Sequence, residues 1–196
     1  MATMTLRQTL ALRAKAAGRL AQIALIAETG DRVQPVYQEY MIGTHSDAIA
    51  RSVEIGWSYA CGGVVDDSEV RALITELDDV IEFYGDEGID VLQSTVMVTL
   101  RILQALSPNE DESNRAVGRG LVSARDVAQY AEAMTQQRIP KNSRLESASR
   151  EEEAWQDAAL RLIDGWQNVA NGAMFEPLGN NPPAWLADWR ARTSSR

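Results

Sequence analysis

The nineteen residues Gly88–Leu106, GIDVLQSTVMVTLRILQAL, form the most apolar run in the chain and limit what it can fold into. Val91, Thr95, Val96, Val98 and Thr99 favour a pleated surface. Strands, however, usually stop within roughly four to eight residues, and this run is far longer. Leu92, Val96, Leu100, Leu103 and Leu106 recur at steps of three and four, the period of one helix face. Val91, Val98 and Ile102 lie elsewhere around the same cylinder, so this helix is covered on most sides. Asp86 and Glu87 suit its N-terminus, and Ser107-Pro108-Asn109 ends it. Gln93, Arg101 and Gln104 make it too polar for a membrane span.

The chain has 196 residues, 45% of them hydrophobic. That fits one domain over residues 1–196, able to bury roughly 70% of its unfolded surface. Cys61 is the only cysteine, so no internal disulfide forms. The start, MATMTLRQTL, shows no secretory pattern, and a cytoplasmic location is expected. The net charge is −9. Nucleic-acid binders draw on a basic face, which this chain lacks, so neither nucleic acid nor membrane is expected as a partner.

Residues 5–28 read as a first Ala/Leu-rich helix, broken at Thr29-Gly30-Asp31. A loop with Val36, Tyr37 and Tyr40 follows. The second helix spans about Ser46–Ala60, with Ile49, Val53, Trp57 and Ala60 on one face. The third starts at Asp66 or Asp67 and ends at Gly85. Its stripe is Val70, Leu73, Ile74, Leu77, Val80, Ile81 and Tyr84. Residues 107–121 read as a polar connection containing the linker-like Gly118-Arg119-Gly120. Ser123–Asp126 opens a fifth helix faced by Val127, Tyr130, Ala131 and Met134. Ile139-Pro140-Lys141-Asn142 breaks it, and the capping box Ser143–Glu146 opens a long helix to about Ala170, with Trp155, Trp166 and Val169 on its buried stripe. A last short helix follows Pro182-Pro183 and docks through Trp185, Leu186 and Trp189; residues 193–196 fray. The expected fold is an all-α bundle of six or seven helices around Gly88–Leu106.

ALRAKAAGRLAQIALIAETGD followed by AIARSVEIGWSYACGG resembles the YjaG-like family of uncharacterised bacterial all-helical proteins. The matching features are the turn Glu28-Thr29-Gly30-Asp31, the Trp-bearing helix at Ile55-Gly56-Trp57, and Val91-Leu92-Gln93-Ser94. The likeness covers roughly residues 6–106, and the last ninety residues depart from it. It implies an all-α fold and supplies no catalytic residues. Small helical proteins of this kind also occur as immunity proteins in bacterial toxin–immunity pairs, an association at the level of fold.

Familiar chemistries are largely missing. His45 is the only histidine. Zinc sites and di-iron bundles need more ligands than it supplies. There is no nucleophile elbow, phosphate-binding loop or EF-hand spacing. No catalytic residue, metal or cofactor is expected. His45 reads as a solvent-facing or capping-region residue. Cys61, at the wrong helix pole for a reactive thiolate, reads as a buried structural residue. Trp185 and Trp189 are either core or an interface.

Charge is the unusual feature. Glu76, Asp78, Asp79, Glu82, Asp86, Glu87 and Asp90 occur with no intervening base. Asp79 and Glu82 fall opposite the Leu77/Val80/Ile81 stripe and face water. Such a run is either a solvated face or a docking surface that a basic partner relieves of self-repulsion. The expected function is a non-catalytic protein-binding protein, most concretely an immunity protein blocking a basic toxin, with Glu76, Asp79, Glu82, Asp86, Glu87 and Asp90 as its contact residues. The alternatives are an enzyme or small-ligand sensor with an inter-helix pocket, using Glu28, Asp31 or Glu54, and a homo-oligomer formed through Trp185 and Trp189.

Overall fold

The computed structural model describes residues 5–40, 45–136, 147–179 and 182–193. The α-helices are α1 (Leu6–Ala14), α2 (Arg19–Tyr40), α3 (Ser46–Ala60), α4 (Asp67–Asp86), α5 (Asp90–Ala105), α6 (Glu110–Gln136), α7 (Ser147–Leu162) and α8 (Ala184–Thr193), with a 3₁₀ helix over Gly172–Leu178. The described residues contain no strand, so the fold is all-α as expected. Among the described residues the elements outnumber the six or seven expected, because the first helix is divided into α1 and α2 and a 3₁₀ segment is added.

In α5, eleven of the sixteen residues are buried, and the helix packs against α2, α3, α4 and α6. Its threonines tolerate helical geometry by bonding back along the helix: Thr95 Oγ1 donates to the Val91 carbonyl at 2.8 Å and Thr99 Oγ1 to that of Thr95 at 3.3 Å. Gly88 precedes the helix at a positive φ of 67°. There it closes α4: Ile89 N–H reaches the Tyr84 carbonyl at 3.0 Å and Gly88 N–H that of Gly85 at 3.2 Å, the paired bonds of a Schellman end.

The polar connection expected over 107–121 is instead the start of α6, a single helix of 27 residues. It packs against α1, α2, α5, α7 and α8, so α5 shares the centre of the bundle with it. Asn109 explains the early start: its Oδ1 accepts from Asp111 N at 3.0 Å and Glu112 N at 3.3 Å, and three acids fill the first turn. Gly120 is a packing residue, since a Cβ there meets the side chain of Ile26 and the Cβ of Arg101.

The same logic corrects the break expected at Thr29-Gly30-Asp31. Helix α2 runs straight through it, and through Pro35, to Tyr40. Gly30 and Gly56 both face Ile102; a Cβ on Gly30 comes to 2.7 Å from Ile102 Cδ1, and one on Gly56 meets Ile102 Cγ2. These glycines let α2, α3 and α5 approach closely. The real division of the first helix lies at 15–18. Gly18 N–H donates to the Trp166 carbonyl at 2.7 Å, and a Cβ on Gly18 has no room against that carbonyl.

The long late helix stops at Leu162, and Gly165 takes a φ of +70°. The chain then crosses the bundle, Ala170 N–H bonding the Ala60 carbonyl at 3.0 Å. Trp166 and Val169, placed on a buried stripe by their spacing, are 37% and 53% exposed because the helix has already ended. Trp155 is buried as expected and packs on Phe175, with ring centroids 6.1 Å apart. Trp185, Leu186 and Trp189 are buried within the chain, so the C-terminal tryptophans are core. Cys61 is exposed, contrary to expectation, because it follows the last turn of α3 rather than facing inward. The Ile139–Asn142 break, the Ser143–Glu146 box and residues 194–196 lie outside the described residues.

Candidate functional site

Helix α4 begins at an Asp66 cap, whose Oδ1 accepts from Ser68 N at 2.8 Å. Leu73, Leu77, Val80 and Tyr84 form its buried side. The helical period then fixes where the acids go. Asp78, Asp79, Glu82 and Asp86 lie along the exposed side, and Glu87 and Asp90 continue it through the α4–α5 turn. The acids nearer the start of the helix are partnered. Glu69 receives Arg51 Nε at 2.6 Å and Nη2 at 3.0 Å, and the Arg51 hydrogen bonds hold its carboxyl below the usual range. Glu76 is half-buried and lies 2.9 Å from His45 Nδ1. His45 itself occupies the N-cap position of α3 with a φ of 63° and makes no side-chain cap. Among the described residues, Asp78, Asp79, Glu82, Asp86, Glu87 and Asp90 have no ion-pair partner.

Phe83 stands in this field with 57% of its surface exposed. It is one helical turn from Asp79 on one side and Glu87 on the other. Its ring packs edge-on to Tyr84 at 5.4 Å between centroids. Sequence reasoning passed over Phe83, although it falls off the Leu77/Val80/Ile81/Tyr84 stripe and that offset marks it. At the other edge, Tyr130 on α6 is 36% exposed. Burial, then the charges of Asp90 and Asp126, raise its phenol above the usual value.

Of the acids considered for an enzymatic pocket, Glu28 and Asp31 lie one turn apart on α2 and Glu54 lies on α3. Glu54 is exposed and bonded to Arg51 at 3.2 Å. Asp31 accepts the Trp57 indole N–H at 2.6 Å, and burial raises its carboxyl above the usual range, partly offset by that bond. Glu28 is buried on α2. None of the three lines a groove that opens on the surface between α3, α4, α5 and the start of α6. No group of acids, His45 and Cys61 able to hold a metal occurs among the described residues. None of the described helices is long and apolar enough to cross a membrane.

No protein-family model matches the chain, and neither a curated protein nor a solved structure was found to be similar to it.

Proposed function

We propose that this chain is a non-catalytic binding protein that docks a basic partner protein on the acidic face of α4. Most concretely, it is a cytoplasmic immunity protein that covers the basic active-site surface of a bacterial toxin. The observation that carries the reading is Phe83, exposed among unpaired carboxylates. Aromatic anchors in a charged surround are the usual centre of protein interfaces. The surrounding charge steers a basic partner and fixes its orientation. Glu76, Asp79, Glu82, Asp86, Glu87 and Asp90 form the contact set, Phe83 is the anchor, and Tyr130 lies at the rim.

The test is capture from the native host at low and high salt, with the partner identified by mass spectrometry and its affinity then measured. One basic protein retained stoichiometrically at low salt and released at high salt is expected. Phe83→Ala should weaken binding about thirtyfold, the equivalent of about 2 kcal/mol for an interface anchor. Neutralising Asp79, Glu82, Asp86 and Glu87 together should weaken it and also flatten its salt dependence. Undiminished binding with an unchanged salt slope sinks the proposal.

A further inference from the structure

The surface groove has a volume of about 820 Å³ and lies away from the acidic α4 face, on the opposite end of that helix. Its floor is apolar, built from Val70, Ile74, Leu103 and Leu106. Val70, Ile74 and Leu106 are only partly buried, so apolar surface is left open there. Arg19 shapes one end from beneath. Its Nη2 donates to the carbonyls of Leu106 and Ser107 at 2.6 Å each, and its guanidinium carbon lies 5.4 Å from the centre of the Tyr59 ring.

The rim carries the charge. Arg71 projects from α4, and Arg115 and Arg119 from α6. Arg71 and Arg115 each commit only Nε, to the carbonyls of Asp67 and Asp111 at 3.1 Å. Among the described residues, none of the three is ion-paired. Arg115 and Arg119 are one turn apart on the same helix, where like charges repel. Two carboxylates also border the groove, Asp67 and Glu112, and Glu112 is occupied by the Ser107 hydroxyl at 2.8 Å. Among the residues that line the groove, three guanidinium groups outnumber two carboxylates, in a chain whose net charge is −9.

We infer that the groove binds a small amphipathic carboxylate, an aliphatic chain of moderate length ending in an acid. The carboxylate meets the Arg71, Arg115 and Arg119 guanidinium groups, and the chain lies on the Val70/Ile74/Leu103/Leu106 floor. Guanidinium forks match a carboxylate in two-point geometry. The volume falls within the range of ligand pockets, roughly 300–1,000 Å³, and the mix of apolar lining with a few charged groups is that of a ligand site. This site is independent of the protein-docking face.

The experiment uses the full chain and the anionic dye 8-anilinonaphthalene-1-sulfonate, with decanoate and its neutral counterpart decanol as competitors. Saturable dye binding, displaced by decanoate at least tenfold more effectively than by decanol, is expected. Arg115→Glu with Arg119→Glu should weaken both dye and decanoate at least tenfold, while Arg115→Lys with Arg119→Lys, which keeps the charge and loses the two-point fork, should weaken them by less than the reversal does. Cooperative melting of each variant separates loss of binding from loss of fold. Should the charge reversal unfold the chain, Val70→Trp, which fills the groove, is expected to exclude the dye instead. The inference is overturned by absent or unsaturable binding, by decanol competing as well as decanoate, or by dye binding that survives either the charge reversal or Val70→Trp in a folded protein. Finding that the groove is covered by a second copy, seen as a dimer that Val64→Asp dissociates, overturns it as well.

Discussion

Arg32 and Glu152 meet at 3.1 Å across 120 residues of sequence, each with its side chain closed off from solvent. The pair joins α2 to α7. Trp155, one turn on from Glu152, places its ring 4.0 Å from the Arg32 guanidinium carbon. Gln156 completes the arrangement, donating to Glu152 Oε1 at 3.3 Å and to the Leu121 carbonyl of α6 at 2.8 Å. Three helices are thus registered by one buried polar cluster.

Removing one member of this pair should hurt more than removing both. Glu152→Ala removes one carboxylate from a buried guanidinium, and breaking one side of a buried pair costs up to about 3–5 kcal/mol. Arg32→Met combined with Glu152→Leu removes both charges while keeping volume, and buried pairs replaced in this way are often neutral. Urea unfolding of the two single variants and the double supplies the cycle. A double variant as unstable as the sum of the singles would falsify the assignment of the pair as a mutually dependent unit.

Gly56 and Gly30 should respond differently to alanine although both face Ile102. Alanine gains about 1 kcal/mol of helix propensity over glycine. At Gly56 the added methyl meets Ile102 Cγ2, next to the backbone and held by β-branching. At Gly30 it meets Cδ1, the mobile end of the same side chain, at 2.7 Å. Gly56→Ala should therefore be the more destabilising, by about 1–3 kcal/mol of overpacking. Ile102→Val deletes Cδ1 and keeps Cγ2, so it should rescue Gly30→Ala and leave Gly56→Ala unrelieved. Thermal midpoints of the parent, the three single variants and the two doubles check this, and equal rescue of both glycines contradicts the contact geometry.

Asp31 gives the fold a pH dependence of definite sign. Burial, partly offset by the Trp57 N–H bond, raises its carboxyl above the ordinary value of 3.8. A raised acid binds its proton more tightly in the folded state. Its contribution to stability is complete below the ordinary value and is lost as pH rises through the folded one. Asp31→Asn keeps an oxygen for the indole and removes the buried charge. The variant should be more stable than the parent at pH 7, with the advantage shrinking toward pH 4, as read from urea midpoints at both. An advantage of the same size at both pH values assigns the effect to something other than ionisation.

Much of the helix content was legible because buried stripes at a period near 3.6 leave a plain record in α3, α4 and α5. Most of the differences share one cause. Glycine and polar residues were read as punctuation, and here several of them are packing or capping parts. Gly30 and Gly120 lie inside helices because Ile102 and Ile26 occupy the space a side chain needs. Asn109 starts α6 where charge density suggested a loop. Trp166 and Val169 had helical spacing, yet their helix ends at Leu162, and a period carries no information about where the last turn falls. At the candidate site, the exposed position of the Asp79/Glu82/Asp86 side followed directly from the stripe. Phe83 was deducible from the same geometry. The Arg71/Arg115/Arg119 groove was not, since seeing it required knowing that residues 110–121 are helical and pack on α5, as α4 does.

The crossing segment has a consequence for the order in which the chain is made. Gly18 takes its partner from Trp166, Ala60 from Ala170, and Arg32 from Glu152. On the ribosome, the first helices emerge long before any of these residues exist. Until the final third is synthesised, backbone groups destined for the interior lack their late-made partners and Arg32 lacks Glu152, so the early helices are not sealed. Nascent chains are expected to stay protease-sensitive through most of elongation and to become resistant late and in one step, as the last-made residues seal the first.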